Sequence, residues 1–464
     1  MVFEYYYYNS DINSCLTSLI GDEIKETMRW STFVDGGDGF LYGIPDHASR
    51  VIKFNPLDKS FTEIGPDLGL TEIGPDLGEG VGSKWMCGVL ANNRCIYCAP
   101  GLGADHILKI DTIRGTVETL DDIELPETGT CWLSGALASD NNIYYVPFQG
   151  TRIMKFNPHF NILSSVGDDL GLAQPYGTER GGYRGAVIGI DKCLYGIPGD
   201  SAYPTLRIFK FDLDNPDTTS TVGKELKVGC GNGVLCGDGF IYAANDDGQV
   251  LQIDTTNNNY TIIGDPIHTE WEQGWGDPIV GVDQWIYWPP LNANHVLAYD
   301  PMAPQKRPLQ EWPLLMGDDL GEGHYKYLGG ALATDDVIYC IPYWTTEEQS
   351  YLPFCPRVLA IDPLKEISNI LKYNFKQNPH MKLGDLFLKP HMCNETVYEH
   401  LLRLFDTEKV FQLFEECFPT DGEWLGTPPD SNALPLFMIA ASCENSSVSL
   451  IYYFLRRNNL MWNR

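Results

Sequence analysis

Residues 132–157 read Trp-Leu-Ser-Gly-Ala-Leu-Ala-Ser-Asp-Asn-Asn-Ile-Tyr-Tyr-Val-Pro-Phe-Gln-Gly-Thr-Arg-Ile-Met-Lys-Phe-Asn. An aromatic opens the stretch, Tyr144 follows twelve residues later, Pro147 three after that, and a β-branched–apolar–x–apolar–Asn run closes it. The same order recurs along the chain. Trp30/Tyr42, Trp85/Tyr97, Tyr183/Tyr195, Trp275/Tyr287 and Tyr327/Tyr339 repeat the twelve-residue spacing, and Tyr242 has Cys230 in the aromatic's place. Pro45, Pro100, Pro198, Asn245, Pro290 and Pro342 follow those tyrosines. The closing run recurs at 51–55, 107–111, 208–212, 250–254, 296–300 and 358–362. The tyrosines recur every 50 residues or so, a period of about 20–50 being the mark of a solenoid, propeller or array.

Each unit holds four short apolar runs separated by Gly, Pro, Asp and Asn. Runs this short, rich in Val, Ile and Tyr, read as strands rather than helices. Four strands repeated seven times predict a mainly β chain, a seven-bladed β-propeller that protects its sheet edges by radial closure. We name the strands of a blade A (after the aromatic), B (holding the tyrosine), C (the closing run) and D. Strand C is apolar on both faces, as expected where neighbouring blades cover both. The propeller is expected to span 1–376. Two segments compete for its last outer strand: one within 1–29, around Cys15 to Asp22, and one at Ile367 to Tyr373.

After about residue 376 the Gly-Asp turns stop and helical spacing begins. An α-helical domain is expected at 380–464. Within it, 433–458 is like a single ankyrin repeat, with Leu434-Pro435-Leu436 at its start and Ala440-Ala441 as the paired small residues. One such unit cannot bury its own face.

The chain carries 32 Lys and Arg against 62 Asp and Glu, a net charge of −30. Nucleic acid and anionic membrane call for positive patches and are not expected partners. A protein or peptide partner, a basic one included, fits the charge. No leader-like or transmembrane-length apolar run is visible. The 13 cysteines fall at unmatched repeat positions, which reads as free buried thiols in a reducing, cytoplasmic setting. Cys95 and Cys98 form a CxxC on a strand, where i and i+3 face opposite ways. A monomer is expected, and no cofactor or metal is called for.

Ligands of propellers meet the D–A and B–C loops, which share the top face around the central channel. The repeat aromatics Trp85, Trp132, Tyr183, Trp275 and Tyr327 stand where D–A loops join strand A. They are candidates for a binding ring, with packing between blades as the alternative use of a regularly repeated ring. Trp288 follows the tyrosine of blade 6. Blade 7 carries the longest B–C loop, 343–357, with Tyr343, Trp344 and Tyr351 as binding candidates. Blade 5 departs from the pattern at Cys230 and Asn245 and has the shortest B–C loop. An enzyme reading, hydrolase or lyase, would use His47, His106, His268, His295 and His324, all in top-face loops, with neighbouring carboxylates and possible metal assistance. It requires two or more of them to converge on a carboxylate. The weight of the sequence falls on a non-catalytic interaction scaffold.

Lys84-Trp85, Gly329-Gly330-Ala331, Tyr195-Gly196-Ile197-Pro198, Val250-Leu251-Gln252-Ile253-Asp254 and Ala440-Ala441-Ser442-Cys443-Glu444-Asn445 carry a resemblance over nearly the whole chain. The chain resembles a family of seven-repeat propeller proteins, NHL/kelch-like in strand layout, with a short ankyrin-like helical tail. The kelch and WD signatures themselves are not matched. The resemblance implies architecture and no activity.

Overall fold

The computed structural model describes residues 16–21, 30–66, 83–101, 103–125, 131–170, 182–199, 207–216, 219–267, 273–301, 313–343, 357–363 and 365. Its strands form seven four-stranded antiparallel sheets, one per repeat. Blade 3 shows the plan, with A at Cys131–Leu137, B at Ile143–Gln149, C at Ile153–Asn157 and D at Ile162–Val166. Strand B is buried over its first five residues, strand C is mostly buried, and strand D alternates exposed and half-buried. Burial is therefore greatest in strands B and C, where neighbouring blades cover both faces, and least in the outer strand D, which faces water.

Blade 7 closes the ring. Its strands A (Tyr327–Leu332), B (Ile338–Pro342) and C (Val358–Ile361) take Thr17–Ile20 as the outer strand D, in register from Thr17↔Ile361 to Ile20↔Val358. Of the two competing segments, the N-terminal one holds that position. Ile367 to Tyr373, the expected helical domain at 380–464 and its ankyrin-like pair at 433–458 lie outside the described residues. The propeller forms one compact unit, Thr17–Ile361. Among the described residues, no helix is long and apolar enough to cross a membrane.

The repeated residues each have a bond to make. The aromatic lies opposite the proline across strands A and B: Trp30↔Pro45, Trp132↔Pro147, Tyr183↔Pro198 and Tyr327↔Pro342 within sheets, Trp85↔Pro100 and Trp275↔Pro290 as isolated bridges. Cys230↔Asn245 fills the same place in blade 5. In blades 1, 3, 4, 5 and 7 the register shifts just after this pair, a β-bulge that bends strand A and re-aims its side chains.

The tyrosine of strand B donates to an Asp four residues earlier, in the A–B turn. Tyr42–Asp38, Tyr144–Asp140, Tyr195–Asp191, Tyr242–Asp238, Tyr287–Asp283 and Tyr339–Asp335 span 2.6 to 2.8 Å. Blade 2 has Asn93 there, and its amide donates to Tyr97 instead, at 2.9 Å. The Asp or Asn ending strand C accepts backbone N–H groups of the C–D turn, as Asn55 does from Leu57, Asp111 from Ile113 and Asp254 from Thr256. Cys95 and Cys98 are free and belong to two different apolar clusters, on opposite faces of strand B of blade 2.

Candidate functional site

The residue before strand C organises the top face. Its carbonyl accepts from the repeat aromatic: Trp30 Nε1 to Arg50, Trp85 Nε1 to His106 and Trp275 Nε1 to His295 at 2.9 Å each, Tyr183 OH to Arg207 at 3.2 Å, and Tyr327 OH to Arg357 at 2.8 Å. Its side chain reaches the glycine carbonyl of the turn after strand D. Arg50 bonds Gly65, Arg152 bonds Gly167, Gln249 bonds Gly264, and His295 bonds Gly317 through Nδ1 at 3.2 Å.

This wiring reassigns most of the expected site. Trp85, Trp132, Tyr183, Trp275 and Tyr327 are buried between blades, and Trp288 is wholly buried with no partner for Nε1. Trp85, Tyr183, Trp275 and Tyr327 pack and tie the loops, Trp132 and Trp288 pack without a bond from the indole N–H, and the six do not form a ring open to solvent. Tyr343 is buried as well, while Trp344 and Tyr351 lie outside the described residues. His295 serves as a loop tether in a place that other blades fill with arginine or glutamine. His106, at the same place in blade 2, pairs with its own neighbour Asp105 at 3.3 Å, and His47 pairs with buried Asp46 at 2.9 Å. These carboxylate partners are separate, one per blade. His324 lies in the D–A loop of blade 7, and His268 lies outside the described residues. Among the described residues, no three His, Cys, Asp or Glu side chains gather as metal ligands. The Gly-Asp turns hold the blades: Asp168 accepts from the Thr219 backbone at 2.9 Å and from its hydroxyl at 3.1 Å.

A different set of residues converges at the channel. Ser134 (blade 3) donates to Asn232 Oδ1 (blade 5) at 3.2 Å, and the Ala186 amide (blade 4) donates to both, at 3.1 Å and 3.3 Å. Asn232 in turn bonds Asp277 of blade 6 through its backbone and its side chain. Desolvation in the channel pushes the Asp277 carboxyl up to about 6, against the opposing pull of Arg184 and Asn232. Arg184 sits at the bulge of blade 4, between Tyr183 and Gly185. Its stem crosses Gly199, where an added methyl group would collide with Cγ, and its guanidinium lies 5.7 Å from the Phe148 ring. Nη1 donates to Gln273 Oε1, in the D–A loop of blade 6, at 2.6 Å.

From Gln273 the bonding continues along the rim. Asn292 Nδ2 donates to Gln273 O at 3.1 Å, the Tyr325 amide donates to Asn292 Oδ1 at 2.9 Å, and the Tyr325 ring meets Tyr343 edge-on at 6.3 Å. Lys326 is wholly buried, and its ammonium bonds Gly321 O and Gly323 O at 3.2 and 2.8 Å; burial lowers it to about 8. It thereby pins the loop that carries Tyr325, which is 40% exposed and, among the described residues of this rim, is the large aromatic offered to solvent. Two features mark the rim as unusual. Gln273 and Tyr325 have φ of 58° and 54°, whereas the other non-glycine residues with positive φ among those described sit in A–B and C–D turns. Such strain costs about 1–3 kcal/mol and persists only where the surroundings over-determine it, which they tend to do at ligand sites.

No family model matches the chain, and no curated protein matches it. Among solved structures, the chain is similar to catalytically inactive virginiamycin B lyase from Staphylococcus aureus with quinupristin, at 11% identity and a TM-score of 0.53, over 75% of this chain and 99% of that one. It is similar to hydrazine synthase from Kuenenia stuttgartiensis at 12% identity and 0.50, over 70% and 96% of the two chains. It is similar to the WD40 repeats of RRP9 at 8% identity and 0.50, over 75% and 97%. At these identities the likeness is one of fold, shared by enzymes and by interaction domains alike.

Proposed function

We propose that the chain is a non-catalytic interaction module that engages a protein or peptide segment on the top face of its propeller, over blades 4 to 7. The observation that carries this reading is the pair of strained residues, Gln273 and Tyr325, joined through Asn292 into one hydrogen-bonded rim with Arg184. Rigid blades presenting a strained loop and an exposed tyrosine suit recognition. The loop at 343–357, with Trp344 and Tyr351, continues the same surface in sequence. A net charge of −30 favours a segment of basic overall character, because the long-range field sets the encounter rate.

The alternative, a hydrolase or lyase, has one observation in its favour, the Asp277 carboxyl raised to about 6, a value suited to proton transfer near neutrality. Against it, Ser134 donates to an amide oxygen and not to a base.

Selection from a displayed random-peptide library on the full chain tests the proposal. Binders should weaken about tenfold or more in Tyr325→Ala, the loss expected of an aromatic anchor, and should come back from the protein chemically intact. Binders indifferent to Tyr325 would move the interface elsewhere. Peptides cleaved by the wild-type protein but not by Asp277→Asn would replace the interaction reading with the enzymatic one.

A further inference from the structure

The Arg184 guanidinium is held at Nη1, and among the described residues no hydrogen bond engages its Nε/Nη2 edge. Nη1 is fixed on Gln273, the stem is laid over Gly199, and the Phe148 ring flanks the guanidinium. Nε is buried and has no hydrogen-bond partner. Asp277 acts on the guanidinium through space, but among the described residues Arg184 forms no ion pair, and the Asp277 carboxylate is engaged by Asn232. The Nε–H and the outer Nη2–H of a guanidinium are parallel donors set at the spacing of two carboxylate oxygens.

We infer that the Nε/Nη2 edge of Arg184 is a docking point for a single carboxylate of the ligand. This rests on the binding face proposed above and adds the chemistry of its anchor. A carboxylate supplies two acceptors in one plane and one negative charge, whereas a phosphate dianion would bring a second charge towards Asp277. The guanidinium is already oriented by Gln273, so little freedom is lost on docking. The overall negative field and this local cation have different roles: the field recruits a basic segment, and the arginine sets where one acid group of it rests.

The test follows the Nε–H resonance of Arg184 in the full chain with isotope-labelled arginine, assigned by its disappearance in Arg184→Lys. Sodium acetate should shift it saturably, while acetamide and sodium chloride at matched ionic strength should not. A response to acetate no larger than to acetamide or chloride overturns the carboxylate anchor; if the display selection still yields binders that need Tyr325, the interaction face survives without it. Two competitors then locate the source. An N-acetylated glutamic acid amide that displaces acetate places the anchor on an acidic side chain, and an N-acetylated alanine with a free carboxylate places it on a chain terminus. Acetate binding with no displacement by either supports the carboxylate site and removes the peptide as its source.

Discussion

Replacing Tyr144 with phenylalanine removes one oxygen from a buried repeat position, and the structure sets what that should cost. The hydroxyl donates to Asp140 Oδ2 at 2.8 Å, so a bond to a charged acceptor is lost, worth about 1.5–3 kcal/mol. Asp140 keeps the Asn142 backbone and side-chain N–H groups and Lys155 at 3.4 Å, which places the loss near the lower end, about 2 kcal/mol. The same substitution at Tyr97 removes a bond from neutral Asn93 and a long one from the tyrosine hydroxyl to the Pro158 carbonyl at 3.4 Å, which the Asn93 amide also reaches at 3.5 Å; with neutral partners only, about 1 kcal/mol is expected. The difference of about 1 kcal/mol is roughly fivefold in a folding equilibrium. Urea unfolding of the full chain, read by tryptophan fluorescence, compares the two midpoints at equal slope. Desolvation pulls the Asp140 carboxyl up, but Asn142 and Tyr144 outweigh it and hold it below its usual range. Its contribution is therefore present above the unfolded value and is lost as pH falls through the folded one. The extra cost of Tyr144→Phe should accordingly shrink in acid. Equal losses at neutral pH, or a difference that does not shrink as the pH is lowered below the usual aspartate range, would refute the assignment of Asp140 as the charged partner.

Three further outcomes follow from the same contacts. Burial raises the Asp283 carboxyl to about 7, so its folded form holds a proton that the unfolded form releases, and stability falls as pH rises from the unfolded value towards the folded one. Asp283→Asn, which can adopt the geometry Asn93 uses in blade 2, should flatten that decline and be more stable than the parent at about pH 8, measured by thermal midpoint. His295→Gln should keep the tether to Gly317, as Gln249 keeps its own to Gly264, and change stability by less than about 0.5–1 kcal/mol, whereas His295→Ala should lose the bond; denaturant midpoints separate the two. Ser18→Pro, opposite Ala360 in the closing pair, should lower the thermal midpoint by several degrees, an effect a proline at an unpaired surface site would not have.

The blade count was legible because packing enforces it. An aromatic facing a proline, a tyrosine at a fixed distance and an apolar strand C must each recur for every blade to fit its neighbours. Two equally regular signals were present and unread: the Asp or Asn four residues before each repeat tyrosine, and the Arg, His or Gln before each strand C. The second would have identified His106 and His295 as occupants of a structural position. The channel cluster was hidden for a different reason. Arg184, Asn232 and Asp277 come from three repeats, and bulges bring the first two to the channel, altering strand register without leaving a residue signature. Gln273 and Tyr325 carry their meaning in backbone angles, which composition does not encode.

The closing strand has a consequence for how the molecule is made. Thr17–Ile20 leaves the ribosome ahead of all seven repeats, yet the edge it pairs with, Val358–Ile361, is synthesised after nearly all of them. Blades 1 to 6 can form in order from neighbouring sequence, but the seventh joins the two extremes of the ring, the contact of greatest chain separation and the slowest kind to find. Until then the Thr17–Ile20 strand, and once it is made the Val358–Ile361 edge, stand unpaired, each able to pair with a strand of another copy. Moving the chain ends to a loop between complete blades, by circular permutation, would make every blade local in sequence and should shorten that exposed interval.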